Sequence, residues 1–221
     1  MKYFSLPIWI LWALILRLLK LKDLKYNNNK FLRIIQNGFE ENIKIKSEII
    51  NSNLFNKISD TTSSVINCLK KGGKIIFAGN GGSFADSQHL AAEFISKFLM
   101  NRDPIPALAL GTNSSIMSSI GNDFNYDYSF SRELIALGSP KDLFIPISTS
   151  GNSKNIINAV KIAKDIGIKS IALTGKTGGK LNSLCECIKV PSNSVPRIQE
   201  CHILIGHLIC EITEKEIFEN R

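Results

Sequence analysis

The stretch GNGGSFADSQHLAAEF, Gly79 to Phe94, stands directly behind the short apolar run KIIFA, Lys74 to Ala78. Three glycines within four residues permit a tight turn and let the backbone approach a ligand closely. A helical pattern begins at Ser83, a natural N-cap, and the free N–H groups and dipole of a helix start favour an anion. Many α/β proteins carry such a turn without any ligand, so the turn alone says little. The helix behind it says more. His89 and Glu93 are four apart and share a face about one turn past the loop. A solvated i,i+4 pair is the ordinary alternative. However, Ala85, Leu90, Ala91, Phe94 and Ile95 mark much of this helix as buried, which sets the pair along a protected cleft. A candidate phosphate cradle thus adjoins a candidate acid/base or metal pair.

Outward from this stretch, strands and helices alternate. Upstream, Ile34, Ile35, Phe39, Ile43, Ile45, Ile49 and Ile50 recur at spacings of three and four, and residues from Phe31 to Lys71 read as helical. A second helix runs from Leu54 or Lys57 to Leu69 and stops at Gly72-Gly73. Downstream, the helix from Ser83 extends to Leu99, and IPALAL (Ile105 to Leu110) precedes a short helix at Ser114 to Ile120. LFIPIS (Leu143 to Ser148) leads into a helix from Ser153 to Ile166. IKSIAL (Ile168 to Leu173) precedes the loop Gly175 to Gly179, and CIKVP (Cys187 to Pro191) is a last strand. A long helix from Pro196 to Phe218 closes the chain. Short, wholly apolar strands between amphipathic helices predict an α/β fold with a parallel sheet covered on both faces.

At 221 residues the chain reads as one domain with a substantial core, preceded by a different piece of sequence. Of the net charge of +8, residues 1–30 hold +5, from six basic residues against Asp23. No arginine cluster or basic stripe with aromatics appears, which argues against nucleic-acid binding. From Tyr3 to Leu16 the sequence is uncharged and mostly apolar, with Trp9 and Trp12. As a helix it would span roughly 21 Å, short of the ~30 Å hydrocarbon core. Residues 1–25 are either a basic segment lying in a membrane interface or an over-long translation start. Asn27-Asn28-Asn29 marks the expected boundary with the domain at 31–221. The five cysteines are odd in number, and Cys185-Glu186-Cys187 lacks the two-residue gap of zinc and redox motifs. Reduced thiols in a cytoplasmic protein are expected.

In open parallel sheets, ligands bind off the carboxyl ends of the strands. Three loops are expected there: Gly79 to Ser83, Gly121-Asn122-Asp123, and Ser148 to Ser153. The last, STSGNS, carries four hydroxyls in six residues, with a glycine and a helix start. Such a loop can bind phosphate through O–H and N–H donors without a lysine. An N-cap and a serine turn would account for one or two of these hydroxyls, not for all four. On the closing helix, His202 reads as a structural or surface residue. His207 lies within ILIGHLIC and needs a polar partner there.

Six motifs in this order and spacing, GNGGS, QHLAAEF, GND, STSGNS, LTGKTGG and RIQECHILIGH, resemble the phosphoheptose (sedoheptulose-7-phosphate) isomerases of the sugar-isomerase (SIS) fold. The resemblance covers Asn37 to Phe218. It implies a five-stranded parallel sheet in a flavodoxin-like αβα sandwich with long N- and C-terminal helices, assembled as a homotetramer with active sites at subunit contacts. It also implies conversion of sedoheptulose 7-phosphate to D-glycero-D-manno-heptose 7-phosphate, the first step towards activated heptose. In that pattern Glu93 is the base at carbon and His207 the acid at oxygen. Asn80, Gly81, Gly82, Glu93, Asn122, Asp123, Ser148, Thr149, Ser150, Ser153 and Gln199 would contact the sugar phosphate. His89, Glu93, Gln199 and His207 would hold one zinc ion. Gln199 and His207 are eight residues apart, about 12 Å of rise on a straight helix. One regular helix would therefore not bring both to one ion, and a neighbouring subunit or a distorted helix is expected. Pro196 departs from the pattern, because some relatives have an acidic residue there. The rival readings are a SIS-fold phosphosugar-binding or replication initiator-associating protein without activity, and a SIS isomerase of another sugar phosphate. The presence of both Glu93 and His207 favours the enzyme.

Overall fold

The computed structural model describes residues 8–219, with the side chains of residue 17 and residues 28–219. Five strands, β1 (Ile75–Gly79), β2 (Ala107–Ala109), β3 (Leu143–Ser148), β4 (Lys169–Thr174) and β5 (Glu186–Lys189), form one sheet in the order β2-β1-β3-β4-β5. Every pairing is parallel. β1, β3 and the C-terminal part of β4 are buried throughout, which explains why the strands read as apolar runs without alternation.

Their side chains still alternate between two cores. Ile75 and Phe77 of β1 and Leu143, Ile145 and Ile147 of β3 face the layer of α2 (Leu54–Lys70), α3 (Gly82–Ile95) and α7 (Val195–Phe218). Ile76, Ala78 and Phe144 face the layer of α5 (Ser129–Leu137) and α6 (Lys154–Asp165). The αβα sandwich and its five-stranded parallel sheet are therefore as the sequence predicts. The strand order reverses between β1 and β3, so the loops behind these two strands flank the crevice where such sheets bind ligands.

Several elements differ from expectation. Helix α1 (Ile8–Ile50) runs through Asn27-Asn28-Asn29 without interruption. Asparagine costs a helix only a few tenths of a kcal/mol per residue, and neither proline nor glycine breaks the run here. The chain separates into two compact units, residues 1–44 and 45–221. The membrane-interface reading of residues 1–25 lies outside the described side chains. Among the described residues no helix is long and apolar enough to cross a membrane.

Strand β2 has three residues rather than six, since Pro104 and Pro106 lack the N–H that a ladder needs. Helix α3 starts one residue before Ser83, with Gly81 (φ 56°) at the N-cap, and ends at Ile95 rather than Leu99. Helix α4 (Ser114–Asp123) takes in Gly121-Asn122-Asp123, which is thus the last turn of a helix and not a loop. The backbone turns away only after Phe124, where Asn125 adopts a φ of 126°. Helix α5 has no counterpart in the sequence reading.

Candidate active site

Two helices meet edge to edge above the sheet. Helices α3 and α7 run side by side, with Gly82 against Gln199 at one end and Leu90 against Gly206 further along. A Cβ on Gly206 would lie 2.5 Å from Leu90 Cδ2, so the close approach depends on the missing side chain. This contact brings His207 of α7 to the paired residues of α3. His89 Nε2 is 2.9 Å from Glu93 Oε1, and His207 Nε2 is 3.3 Å from His89 Nε2. Phe98 stacks on the His207 ring with 5.4 Å between the ring centroids. Burial, followed by the neighbouring His89, holds the His207 imidazole below the ordinary histidine range, and Glu93 works against both.

The three ligand atoms of His89, Glu93 and His207 all lie within 4.8 Å of one another. Zinc–nitrogen bonds of about 2.0–2.1 Å in a tetrahedron separate neighbouring ligand atoms by about 3.3–3.4 Å. The 3.3 Å between the two Nε2 atoms fits that edge. Two imidazoles and a carboxylate are also the donor set of a catalytic zinc site with an open position. Gln199 lies at the other end of the contact between α3 and α7. It packs on Gly82, about 12 Å of helical rise before His207 on the same regular helix.

The serine-rich loop is built with equal definition. Ser148 is buried, and its Oγ stands 3.3 Å from that of Ser153. Ser153 occupies the N-cap of α6 but makes no side-chain cap bond, and its hydroxyl pairs with that of Ser148 instead. Ser150 Oγ accepts the Asn152 N–H. Thr149 is half-buried, and its carbonyl accepts the Gly175 N–H at 2.9 Å. Gly151, at φ 65°, lies where a Cβ would come within 2.0 Å of the Gly178 carbonyl oxygen. The loop from Gly175 to Gly179 is thus the support against which STSGNS is folded.

The side chain of Asn80, behind β1, exchanges two hydrogen bonds of 2.9 Å with Asn155 at the start of α6. Tyr126 donates to Asn80 Oδ1 at 2.8 Å. These bonds tie the two loops across the switch point, and Gly81 and Gly82 follow directly at the exposed start of α3. Asn122 and Asp123 are exposed and bond to each other at 2.8 Å.

His202 belongs to the core. Its Nε2 lies 3.1 Å from the Thr174 carbonyl oxygen, and burial pushes its pKa down to about 4.

Sequence reasoning passed over several residues. Asp86 stands one turn before His89, with its Oδ2 buried and without a hydrogen-bond partner among the described residues. Burial pushes this carboxyl up, and His89 partly offsets the effect. Asn155, Tyr126, Phe98, Arg102 and Glu214 also support the site. Asn155 carried a signal, as a second asparagine directly behind STSGNS. The others act through contacts that no local pattern displays.

The model of the SIS domain family matches residues 38–175. A phosphoheptose isomerase of Aneurinibacillus thermoaerophilus is 49% identical over 189 residues, 85% of this chain and 96% of that protein. A phosphoheptose isomerase 2 of Campylobacter jejuni is 50% identical over 186 residues, 83% of this chain and 92% of its own length. The solved phosphoheptose isomerase of Francisella tularensis superposes with a TM-score of 0.80 at 36% identity, covering 83% of this chain and 98% of that one.

Proposed function

The chain belongs to the SIS-domain family and, within it, to the phosphoheptose isomerases, and from that premise we propose how its residues divide the work. It is an isomerase that interconverts sedoheptulose 7-phosphate and D-glycero-D-manno-heptose 7-phosphate. The observation that carries the site assignment is the convergence of His89, Glu93 and His207 from two helices.

A ketose becomes an aldose by moving one proton from C1 to C2 and one between the two oxygens. Glu93 takes the proton from C1, the C–H electrons form the C1–C2 double bond, and the carbonyl oxygen at C2 gains a proton from His207. In the second half the O1–H proton goes to His207, the C1 carbonyl forms, and Glu93 returns its proton to C2. Both residues end as they began. Ser148, Thr149, Ser150 and Ser153 grip the phosphate with their hydroxyls and the α6 N-terminus. Asn80, Gly81, Gly82, Asn122, Asp123 and Gln199 contact the sugar hydroxyls.

His89, Glu93 and His207 would hold a zinc ion, and the open position leaves room for Gln199 of a neighbouring subunit. Such an ion would supply Lewis-acid polarisation of the carbonyl.

A homotetramer with sites at subunit contacts is supported by apolar faces left uncovered in one chain. Ile34, Ile35, Phe39 and Ile43 are exposed on α1, and Leu204, Leu208 and Ile212 form an exposed stripe on α7. The five cysteines are free thiols, in keeping with a cytoplasmic enzyme. The reading of residues 31–221 as the isomerase domain is supported by the family match at residues 38–175, although the larger compact unit begins only at residue 45.

The test is incubation of the purified full-length protein with sedoheptulose 7-phosphate, following aldose formation with and without a chelator. Glu93→Gln and His207→Ala should each lower turnover by about 10²–10⁴-fold with fold and assembly intact. Full activity in Glu93→Gln would remove the base assignment. Unchanged activity after exhaustive chelation, with metal content shown to be nil, would remove the zinc.

A further inference from the structure

Glu93 stands in the last turn of α3, which ends at Ile95. The final four carbonyls of a helix have no partner inside it, and such ends fray. No glycine cap closes α3. Arg102 does so instead, donating from Nη2 to the carbonyl of Glu93 itself at 2.8 Å and from Nη1 to that of Phe94 at 2.7 Å. A guanidinium at this end also complements the helix dipole. Arg102 Nε donates to Glu214 Oε1 at 2.8 Å. Glu214 lies on α7, two turns past His207, and accepts the backbone N–H groups of Phe98, Leu99 and Met100. Phe98, held in this way, is the ring stacked on His207.

The Arg102 and Glu214 side chains are 2% and 1% exposed. Burial would raise the Glu214 carboxyl, but the N–H groups of Leu99 and Phe98, then Arg102 and Met100, more than offset it and keep it ionised. A buried ion pair gives little net stability over an apolar pair of the same shape, so stability alone is a weak reason for it. Its hydrogen bonds do have one geometric result, which is to join the backbone of the proposed base to the helix of the proposed acid.

We propose that Arg102 and Glu214 are positioning residues for the isomerisation, a clamp that fixes the last turn of α3 and Phe98 so that Glu93 and His207 meet at reacting distance. This rests on the assignment of Glu93 and His207 above. Arg102→Lys keeps the charge but cannot span Glu214 and two carbonyls at once. With the full-length protein, Arg102→Lys should lower kcat about tenfold to a hundredfold while KM for sedoheptulose 7-phosphate stays within about twofold, because the phosphate loop is untouched. Zinc affinity, measured by competition with a chromophoric chelator, should weaken about tenfold, as the ligand spacing relaxes. Phe98→Leu should lower kcat in the same direction with KM unchanged.

The control is Val160→Ala, a truncation in the opposite core layer, which should lower Tm and leave kcat alone. If Arg102→Lys lowers Tm yet keeps wild-type kcat and zinc affinity, the clamp is only structural and the proposal falls. If Arg102→Lys gives no folded protein, Phe98→Leu decides, and unchanged kcat there overturns the proposal. Failure of the underlying assignment looks different: the wild type itself is inactive or Glu93→Gln is fully active. The clamp is then judged by zinc affinity alone, and no change in it defeats the proposal.

Discussion

The three histidines show how far a residue's surroundings decide its chemistry. His207 was legible as a histidine in an apolar run that required a partner, and the structure supplies His89 and Glu93. His202, five residues earlier on the same helix, is buried and neutral with one bond to Thr174. Its native pKa of about 4 lies below the ordinary 6.5. As pH falls through 6.5 the unfolded chain takes up this proton and the folded one does not, so stability is lost between pH 6.5 and about 4. The loss amounts to about 3 kcal/mol from this residue. His202→Gln keeps an N–H donor for Thr174 and removes the titration. Urea unfolding at pH 7 and pH 4 should show a pH-dependent loss smaller by that amount in the variant, and identical losses would refute the assignment.

At the level of elements, the contact between α3 and α7 decides whether a site exists. Gly206 was visible in the sequence only as a glycine within a helix. The structure shows it as the point where Leu90 fits. Leu90 is 1% exposed, so it has little room to yield. Gly206→Ala should therefore destabilise the fold by about 1–3 kcal/mol, read by denaturant midpoint, and lower kcat because His207 moves away from His89. An unchanged midpoint would show that the helices are not in such close contact. Helix α5 was missed because it is only nine residues long and follows a turn set by the positive φ of Asn125. The pair Phe130 and Leu134, four apart and both fully buried, was the available signal.

For the whole molecule, the exposed apolar stripes on α1 and α7 lead to a solution-state expectation. Sedimentation should give four times the 24.5 kDa of the chain. Leu208→Lys, which puts a charge into the middle of the α7 stripe, should shift the population to smaller species. A monomer in the wild type would leave Gln199 without a route to the proposed zinc site, since its own helix carries it away from His207.

Local patterns in the chain determined the strands, most helices and the two loops at the switch point. They could do so because apolar runs, helical spacing and glycine–serine turns are properties of neighbours in sequence. The identity of His89 and Glu93 as a pair was also readable, for the same reason: four residues on a helix make one face. The family resemblance pointed to His207, but only the packed structure decided that it meets His89 and Glu93 within one chain, 114 residues beyond Glu93, that Gly121-Asn122-Asp123 ends a helix, and that a buried arginine closes α3. Those outcomes depend on which side chains leave room for two helices to touch, a property of the assembled core that no single segment contains.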